Sequence, residues 1–390
     1  MKRIIAALAA LASAGSFAQS SVGISGLLDE AVTTVRTKGA GGQSLRKTGL
    51  FSSGMSSNFL RFDGREDLGG GLYSFFRLES GLNLDTGLGL ASNANNQRSG
   101  AGPAVSGLTF NRWAIVGVGS RSFGELRFGR VYTAAFENFT PFDPFLTNGV
   151  GSSSAITLRL GIRNTQSALN VSNAIEYLTP HYGRGFFARG TVAFGENPSN
   201  GSLATSNPRH AGDHEALRIG YGGGHWTIAY SAGLTHNTAG VTPTGNNAGD
   251  YLNTNLAARY DFGWAKVMGE YVTEKLEGAS AAGGTLTGVA GQEARTRSLL
   301  LGAVVPVGAG HIKFSYVEGR LTDNLGSPAE RGRLYAVGYD YFLSKRTNLY
   351  TVYSHVANNA AGRYGFASVF VTPAQGASSS GLAVGIRHLF

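Results

Sequence analysis

Apolar and polar side chains alternate along this chain with a period of two, the spacing that sends successive residues to opposite faces of a strand. Trp226, Ile228, Tyr230, Ala232 and Leu234 share one face, while Thr227, Ala229, Ser231 and Gly233 share the other. The stretch 251–262 sets Leu252, Thr254, Leu256, Ala258, Tyr260 and Phe262 against Asn253, Asn255, Ala257, Arg259 and Asp261, so its second face is charged. Tyr335, Val337, Tyr339 and Tyr341 oppose Leu334, Ala336, Gly338 and Asp340; Ile312, Phe314 and Tyr316 oppose Lys313 and Ser315. Each segment is about ten residues long, the length a tilted strand needs to cross a bilayer.

Followed along the whole chain, the pattern predicts sixteen strands, near 20–35, 57–67, 72–84, 108–119, 123–131, 172–180, 185–195, 213–222, 225–236, 250–262, 264–276, 293–307, 310–321, 331–342, 346–357 and 380–390. Tight turns such as Gly69-Gly70-Gly71, Gly222-Gly223-Gly224, Gly308-Ala309-Gly310 and Leu343-Ser344-Lys345 alternate with long polar loops at 85–107, 132–171, 196–212, 237–249, 277–292 and 358–379. Short turns at one end and long loops at the other mark a transmembrane barrel. Closure is the only way to satisfy strand backbones in lipid. Sixteen strands would leave an aqueous lumen. A soluble β-sandwich or β-helix shares the alternation; no repeat of fixed period favours a solenoid, and aromatic residues recur at strand ends, as membrane-interface girdles require.

The N-terminus fits an exported barrel. Lys2 and Arg3 precede an apolar run from Ile4 to about Ala14, and Ser16-Phe17-Ala18 forms a small-x-small cleavage site, so residues 1–18 read as a signal peptide and 19–390 as one barrel domain beginning at Gln19. That run is shorter than the roughly 20 residues of a membrane helix, and the later apolar stretch Leu299 to Val307 is short and holds Pro306. With no cysteine there is no disulfide, thiolate metal site or cysteine nucleophile. The formal charge is +9, yet the arginines are scattered singly rather than clustered, so a pore lining explains them better than nucleic acid.

The segments SSVGISGLLDEAV from 20, FDGREDLGGGLYSFFRLESGLN from 62, FNRWAIVGVGSRSFGELRFGRVYTAAF from 110, NAIEYLTP from 173, YDYFLSKRTNLYTVYSHVANN from 339 and the terminal GLAVGIRHLF span nearly the whole chain. Through them the chain resembles the general diffusion porins of Gram-negative bacteria, in particular the trimeric β-proteobacterial group. The resemblance implies a homotrimer in the outer membrane, among lipid and lipopolysaccharide, passing small solutes and anions, with no cofactor and no nucleic-acid partner. It also implies that a terminal aromatic, here Phe390 with Ile386 and Val384, is read by the barrel assembly machinery. A lone terminal apolar residue would mean little; on the outward face of the last strand it gains weight.

In the family the third external loop folds into the barrel and sets acids against wall arginines. The corresponding loop is 132–171, with Asp143 between Pro141 and Pro144 as the first candidate acid and Glu137 as the second, although loop carboxylates are ordinarily just solvated. Arg112 and Arg163 match pore arginines of the family, and outward Trp113 and Ile115 would leave Arg112 inside. Parity alone sends Arg61 and Arg77 to the lumen. Arg130 matches an arginine behind the loop, but its parity with Phe128 points to lipid, where a charge costs roughly 2 to 4 kcal/mol, so a bulge is expected there. The chain departs from the family at Phe59 and Asp63, where basic residues are common, and at Arg61, often small there, which leaves the register of the ladder open. Arginines facing carboxylates would create a transverse field that the walls focus, with a basic excess favouring anions. The plainer alternative is that these arginines only pin the loop.

No GxSxG, HExxH or phosphate-loop motif occurs, Gly117-Val118-Gly119 leads into a turn rather than a helix, and His214-Glu215 lacks a second histidine. Scattered histidines such as His355 and His388 are ordinary interface or lumen residues. The competing functions are a substrate-specific channel, a barrel lipase or protease, and an adhesin built on the loops.

Overall fold

The computed structural model describes residues 21–39, 41–97, 107–165, 167–197, 209–242, 245–366 and 373–390. The expected signal peptide, 1–18, and parts of several long loops lie outside them. Sixteen antiparallel strands make the wall: β1 (Ser21–Lys38), β2 (Ser44–Ser52, resumed as Phe59–Gly69), β3 (Leu72–Asn83), β4 (Trp113–Ser120), β5 (Gly124–Tyr132), β6 (Asn170–Leu178), β7 (Gly185–Ala193), β8 (His214–Gly223), β9 (Trp226–Thr235), β10 (Tyr251–Asp261), β11 (Lys266–Glu277), β12 (Glu293–Val307), β13 (Gly310–Asp323), β14 (Glu330–Phe342), β15 (Thr347–Asn358) and β16 (Ser378–Leu389). Chain neighbours are hydrogen-bonded neighbours throughout, and β16 closes on β1 with Leu27 opposite Leu389 and Lys38 opposite Ser378. No helix among the described residues is long and apolar enough to cross a membrane.

The interrupted second strand departs from expectation. Strand β1 is long enough to pair with both halves of β2, through Glu30 to Lys38 with the first and Ser21 to Leu27 with the second. The arm Ser44–Ser52 was not predicted because both its faces stay open, so no buried side enforces alternation.

Elsewhere the alternation is that of an inside-out protein. Trp226, Ile228 and Tyr230 are exposed on the outer surface, while Ala229 and Ser231 between them are buried toward the interior. Trp226, Tyr260 and Phe262 pack edge to face, and Trp264 lies tilted against Phe262, near the short turns, the amphipathic girdle expected at a membrane interface.

The loop joining β5 to β6 folds into the barrel. It carries α1 (Ala134–Phe139), a 3-10 turn at Thr140–Phe142, α2 (Ser154–Thr157) and α3 (Gly161–Asn164). Thr133 caps α1, its hydroxyl accepting from the Phe136 amide at 3.2 Å. Pro141 and Pro144 lack the amides to continue a helix, so the chain turns and drives Phe142 and Phe145 into the wall. Phe145, Val150, Ile156 and Leu160 join Leu300, Val317, Leu321, Leu334, Val352 and Val356 in one buried cluster. At about 1.5–3 kcal/mol per large buried apolar side chain, this packing, not the loop's short helices, holds the loop in place.

Candidate constriction site

The loop packs on the inner face of β9 to β16, with α1 also reaching β8 and Arg189 of β7, and leaves most of the inner face of β2 to β6 bare. Period two alone puts Phe59, Arg61, Asp63 and Arg65 of β2 on that face, beside Tyr73, Phe75, Arg77 and Glu79 of β3. Glu125 and Arg127 of β5, Glu176 of β6 and Arg189 of β7 continue the lining, and Arg218 of β8 pairs across from Arg189.

Guanidinium and carboxylate groups interleave. Buried Glu79 takes Arg61 at 2.5 Å and Arg112 at 2.7 Å, and Asp63 takes Arg77 at 2.6 Å. Arg127 spans Glu125 at 2.5 Å and Glu176 at 3.2 Å. Arg189, fully buried, pairs with Glu176 and with Glu137 of α1, and also donates to the Tyr132 carbonyl. Aromatic rings fill the gaps: Arg61 lies 4.6 Å from the Phe59 ring, Arg65 3.6 Å from Tyr73, and Arg127 5.6 Å from Trp113. Such stacking holds each guanidinium extended while its charge stays directed at the lumen. Arg65 and Arg218 have no carboxylate partner among the described residues; Arg218 donates instead to Asn138 at 2.9 Å and Tyr182 at 2.7 Å. Along this wall, with the adjoining β8 and α1, Arg61, Arg65, Arg77, Arg112, Arg127, Arg189 and Arg218 outnumber Asp63, Glu79, Glu125, Glu137 and Glu176.

Comparison with known proteins fits this geometry. Residues 5–361 match the Gram-negative porin family. The chain is 33% identical to outer membrane porin protein 32 of Delftia acidovorans, over 100% of both chains. The chain belongs to the Gram-negative porin family. An anion-selective porin from Comamonas acidovorans is similar in structure, with a TM-score of 0.75 at 29% identity over 95% of this chain and 100% of that one. OmpT of Vibrio cholerae, solved in a trimer form, shares the fold at a TM-score of 0.62 and 15% identity, over 95% and 99% of the two chains. This porin is a β-barrel channel of the Gram-negative outer membrane for passive diffusion of small hydrophilic solutes and ions.

Arg61, Arg77 and Arg112 of the porin stand together on the bare wall, but the reason given for Arg112 needs correcting. Trp113 pairs with Glu79 and Ile115 with Arg77, so both face inward, and Val116 and Val118 face out. Arg112 still reaches the lumen because it precedes the strand, and its Nη1 donates to the carbonyl of Asn58 at 3.1 Å.

Asp143 does not meet the arginines. It is buried at the foot of the loop, where it accepts from the amides of Phe145 at 2.8 Å and Ser153 at 3.1 Å and from the Ser153 hydroxyl at 2.5 Å. Burial pushes its carboxyl above the ordinary range, against those hydrogen bonds. Glu137 is the loop acid that reaches the wall. Arg163 lies on the covered side, where its Nη1 donates to the Gly283 carbonyl at 3.3 Å in another loop.

Arg130 sits at a bulge, where the register shifts between Gly129 and Val131. Gly129 has φ 126°, and a side chain there would strike the Ala114 carbonyl. The bulge lets Arg130 donate to Asn111 O, Asn93 O at 3.1 Å and Ser172 Oγ at 2.7 Å, away from lipid and from any carboxylate among the described residues. Phe390 bonds Gly26 in both directions, at 3.0 and 3.1 Å, and its ring covers Gly26, where any side chain would collide with it.

Sequence reasoning missed Arg65, Arg127, Arg189, Arg218 and the strand acids Asp63, Glu79, Glu125 and Glu176. A signal for several was present. Arg61-x-Asp63-x-Arg65, Arg77-x-Glu79 and Glu125-x-Arg127 are charges spaced two apart, hence on one face.

Proposed function

We propose that the bare wall and Glu137 form the porin's eyelet and give it a mild preference for anions. The observation that carries this is the excess of arginine over carboxylate along this wall, which is open to water at Arg77 and Asp63, each more than a third exposed, and closed at Glu79, Glu176 and Arg189. Low-dielectric walls focus that field on passing ions, as basic rings do in anion pores. The resemblance to an anion-selective porin supports the same sign. Membership of a family of outer-membrane porins favours a channel over a barrel enzyme.

The porin works as a homotrimer, as its family resemblance implies, in contact with outer-membrane lipid and lipopolysaccharide. The outward Phe390, following Leu382, Val384 and Ile386 on the same exposed face, is the signal for the barrel assembly machinery. Residues 1–18 are removed on export, so mass spectrometry of the outer-membrane protein should give a chain starting at Gln19.

Single-channel recording in a planar bilayer under a tenfold KCl gradient tests the eyelet. The reversal potential should lie on the chloride side, and Arg65→Ser with Arg77→Ser should move it toward potassium. A wild-type potential on the potassium side would overturn the reading.

A further inference from the structure

The outer surface carries a second basic group, unrelated to the lumen. Arg297 of β12 stands directly across from Arg320 of β13, and Arg320 directly across from Arg331 of β14. All three belong to the outward, exposed set of their strands. Lys275 and Arg295, a cross-strand pair, lie one row nearer the long loops, and Arg333 lies one row nearer the short turns.

The nearby carboxylates are already committed. Glu293 holds Lys275 at 2.7 Å and Arg295 at 2.5 Å, and Glu318 holds Arg333 at 3.1 Å. Among the described residues no ion pair or hydrogen bond reaches the side chain of Arg297, Arg320 or Arg331; Arg331 is engaged only through its backbone, its amide donating to Asn359 Oδ1 at 3.0 Å. Like charges directly opposite on a sheet destabilise it. Two consecutive such pairs without an ion-pair partner of their own, Glu318 being held by Arg333, mark a surface shaped by something outside the chain.

The position of the row specifies that partner. Toward the short turns the same outward faces become apolar and aromatic: Leu299, Leu301, Phe314, Tyr335 and Val337 are all more than two-fifths exposed, and the Tyr316 and Tyr335 rings lie 5.3 Å apart. The arginines therefore stand where the hydrocarbon belt ends, on the side of the long external loops, at the depth of outer-leaflet headgroups. We infer that Arg297, Arg320 and Arg331 bind the phosphate groups of a phosphorylated glycolipid of the outer leaflet, its acyl chains lying along the belt below. Planar guanidinium forks match phosphate oxygens in bidentate fashion, and three in a row suit a headgroup carrying more than one phosphate.

The inference rests on the outer-membrane placement of the chain and not on the eyelet, so bilayer recordings test that reading separately. The folded porin in detergent is titrated with bisphosphorylated lipid A, with its dephosphorylated form and with inorganic phosphate, and bound ligand is counted by native mass spectrometry. The wild type should prefer the bisphosphorylated lipid over the dephosphorylated one by about tenfold or more, as charge-assisted contacts imply. Arg297→Ser/Arg320→Ser/Arg331→Ser should abolish that preference with conductance unchanged, and the triple lysine variant should keep part of it. Equal binding of the two lipids by the wild type overturns the inference, and so does a preference that survives the serine variant. Inorganic phosphate binding as tightly as the lipid would also overturn it, in favour of a free-anion site. Should the serine variant fail to fold, the two lipids on the wild type decide alone.

Discussion

The two inner walls of the barrel are built from the same alternating strands, yet they do different work. On the bare wall Arg61, Asp63, Arg77, Glu125 and Arg127 are part-exposed to water, around buried Glu79, Glu176 and Arg189. On the covered wall they are sealed under the loop. Glu274 there accepts from the amides of Leu160 at 3.0 Å and Gly161 at 2.8 Å, from Tyr251 at 2.8 Å and from Thr296 at 2.9 Å. Arg159 of the loop meets Glu330 of β14 at 3.2 Å with both side chains almost wholly buried, and its guanidinium lies 4.5 Å from the Tyr364 ring. Glu330 in turn accepts from the Gly283 amide at 2.7 Å, tying a further external loop to the same point. Exposed pairs contribute little to stability, whereas breaking a buried pair leaves an uncompensated charge. The covered wall therefore carries the loop's anchorage, and the bare wall carries the field.

The largest effect should come from breaking that anchorage. Glu330→Ala strands Arg159 in a buried site and should cost about 3–5 kcal/mol, read as a lower urea midpoint for the folded band on heat-modifiability gels. An unchanged midpoint would mean that the loop does not depend on this contact.

The bare wall should respond the opposite way. Arg65→Ser with Arg77→Ser should shift the reversal potential toward cations while changing the same midpoint by about 1 kcal/mol or less, since the Arg77–Asp63 pair is part-exposed. The shift should shrink at 1 M salt, where the Debye length is ~3 Å. A large loss of stability with an unmoved potential would reverse the roles assigned to the two walls.

A smaller effect should attach to Asp143. Its carboxyl is raised in the folded loop, so the stability linked to it is full below the ordinary aspartate value, near 3.9, and falls as pH rises through the higher folded value. Protease clipping of the loop should therefore increase with pH above that point in the wild type, and less so in Asp143→Asn. Parallel profiles for the two proteins would refute the assignment. The reversal potential of Asp143→Asn should stay near that of the wild type.

The smallest effect is expected for Arg163→Ser, which removes one contact to a loop carbonyl on the covered side. It should leave the reversal potential unchanged in the same KCl gradient. A shift comparable to that of the Arg65/Arg77 variant would put Arg163 back among the pore residues.

Most of the barrel was legible because lipid on one side and water or loop on the other demand strict alternation. The strand expected at 293–307 falls at Glu293–Val307, and most other boundaries agree within two or three residues. Trp113 and Ile115 escaped that logic because the inner wall is aromatic where it holds arginines, so an apolar side chain no longer means an outward one. Asp143 was misjudged because flanking prolines look the same whether a loop acid faces the lumen or staples the loop's own turn.

The sequence by itself determined sixteen strands, most of their outward faces and the inward parity of Arg61 and Arg77, since each follows from local period-two geometry and the cost of charge in lipid. Tertiary structure decided which wall the loop covers, that Glu137 rather than Asp143 meets an arginine, and that Glu79 and Glu176 each serve two guanidiniums. Those outcomes depend on where distant strands bring their inner faces together and on how Phe142, Phe145, Ile156 and Leu160 find buried space. No spacing along one segment encodes such long-range packing.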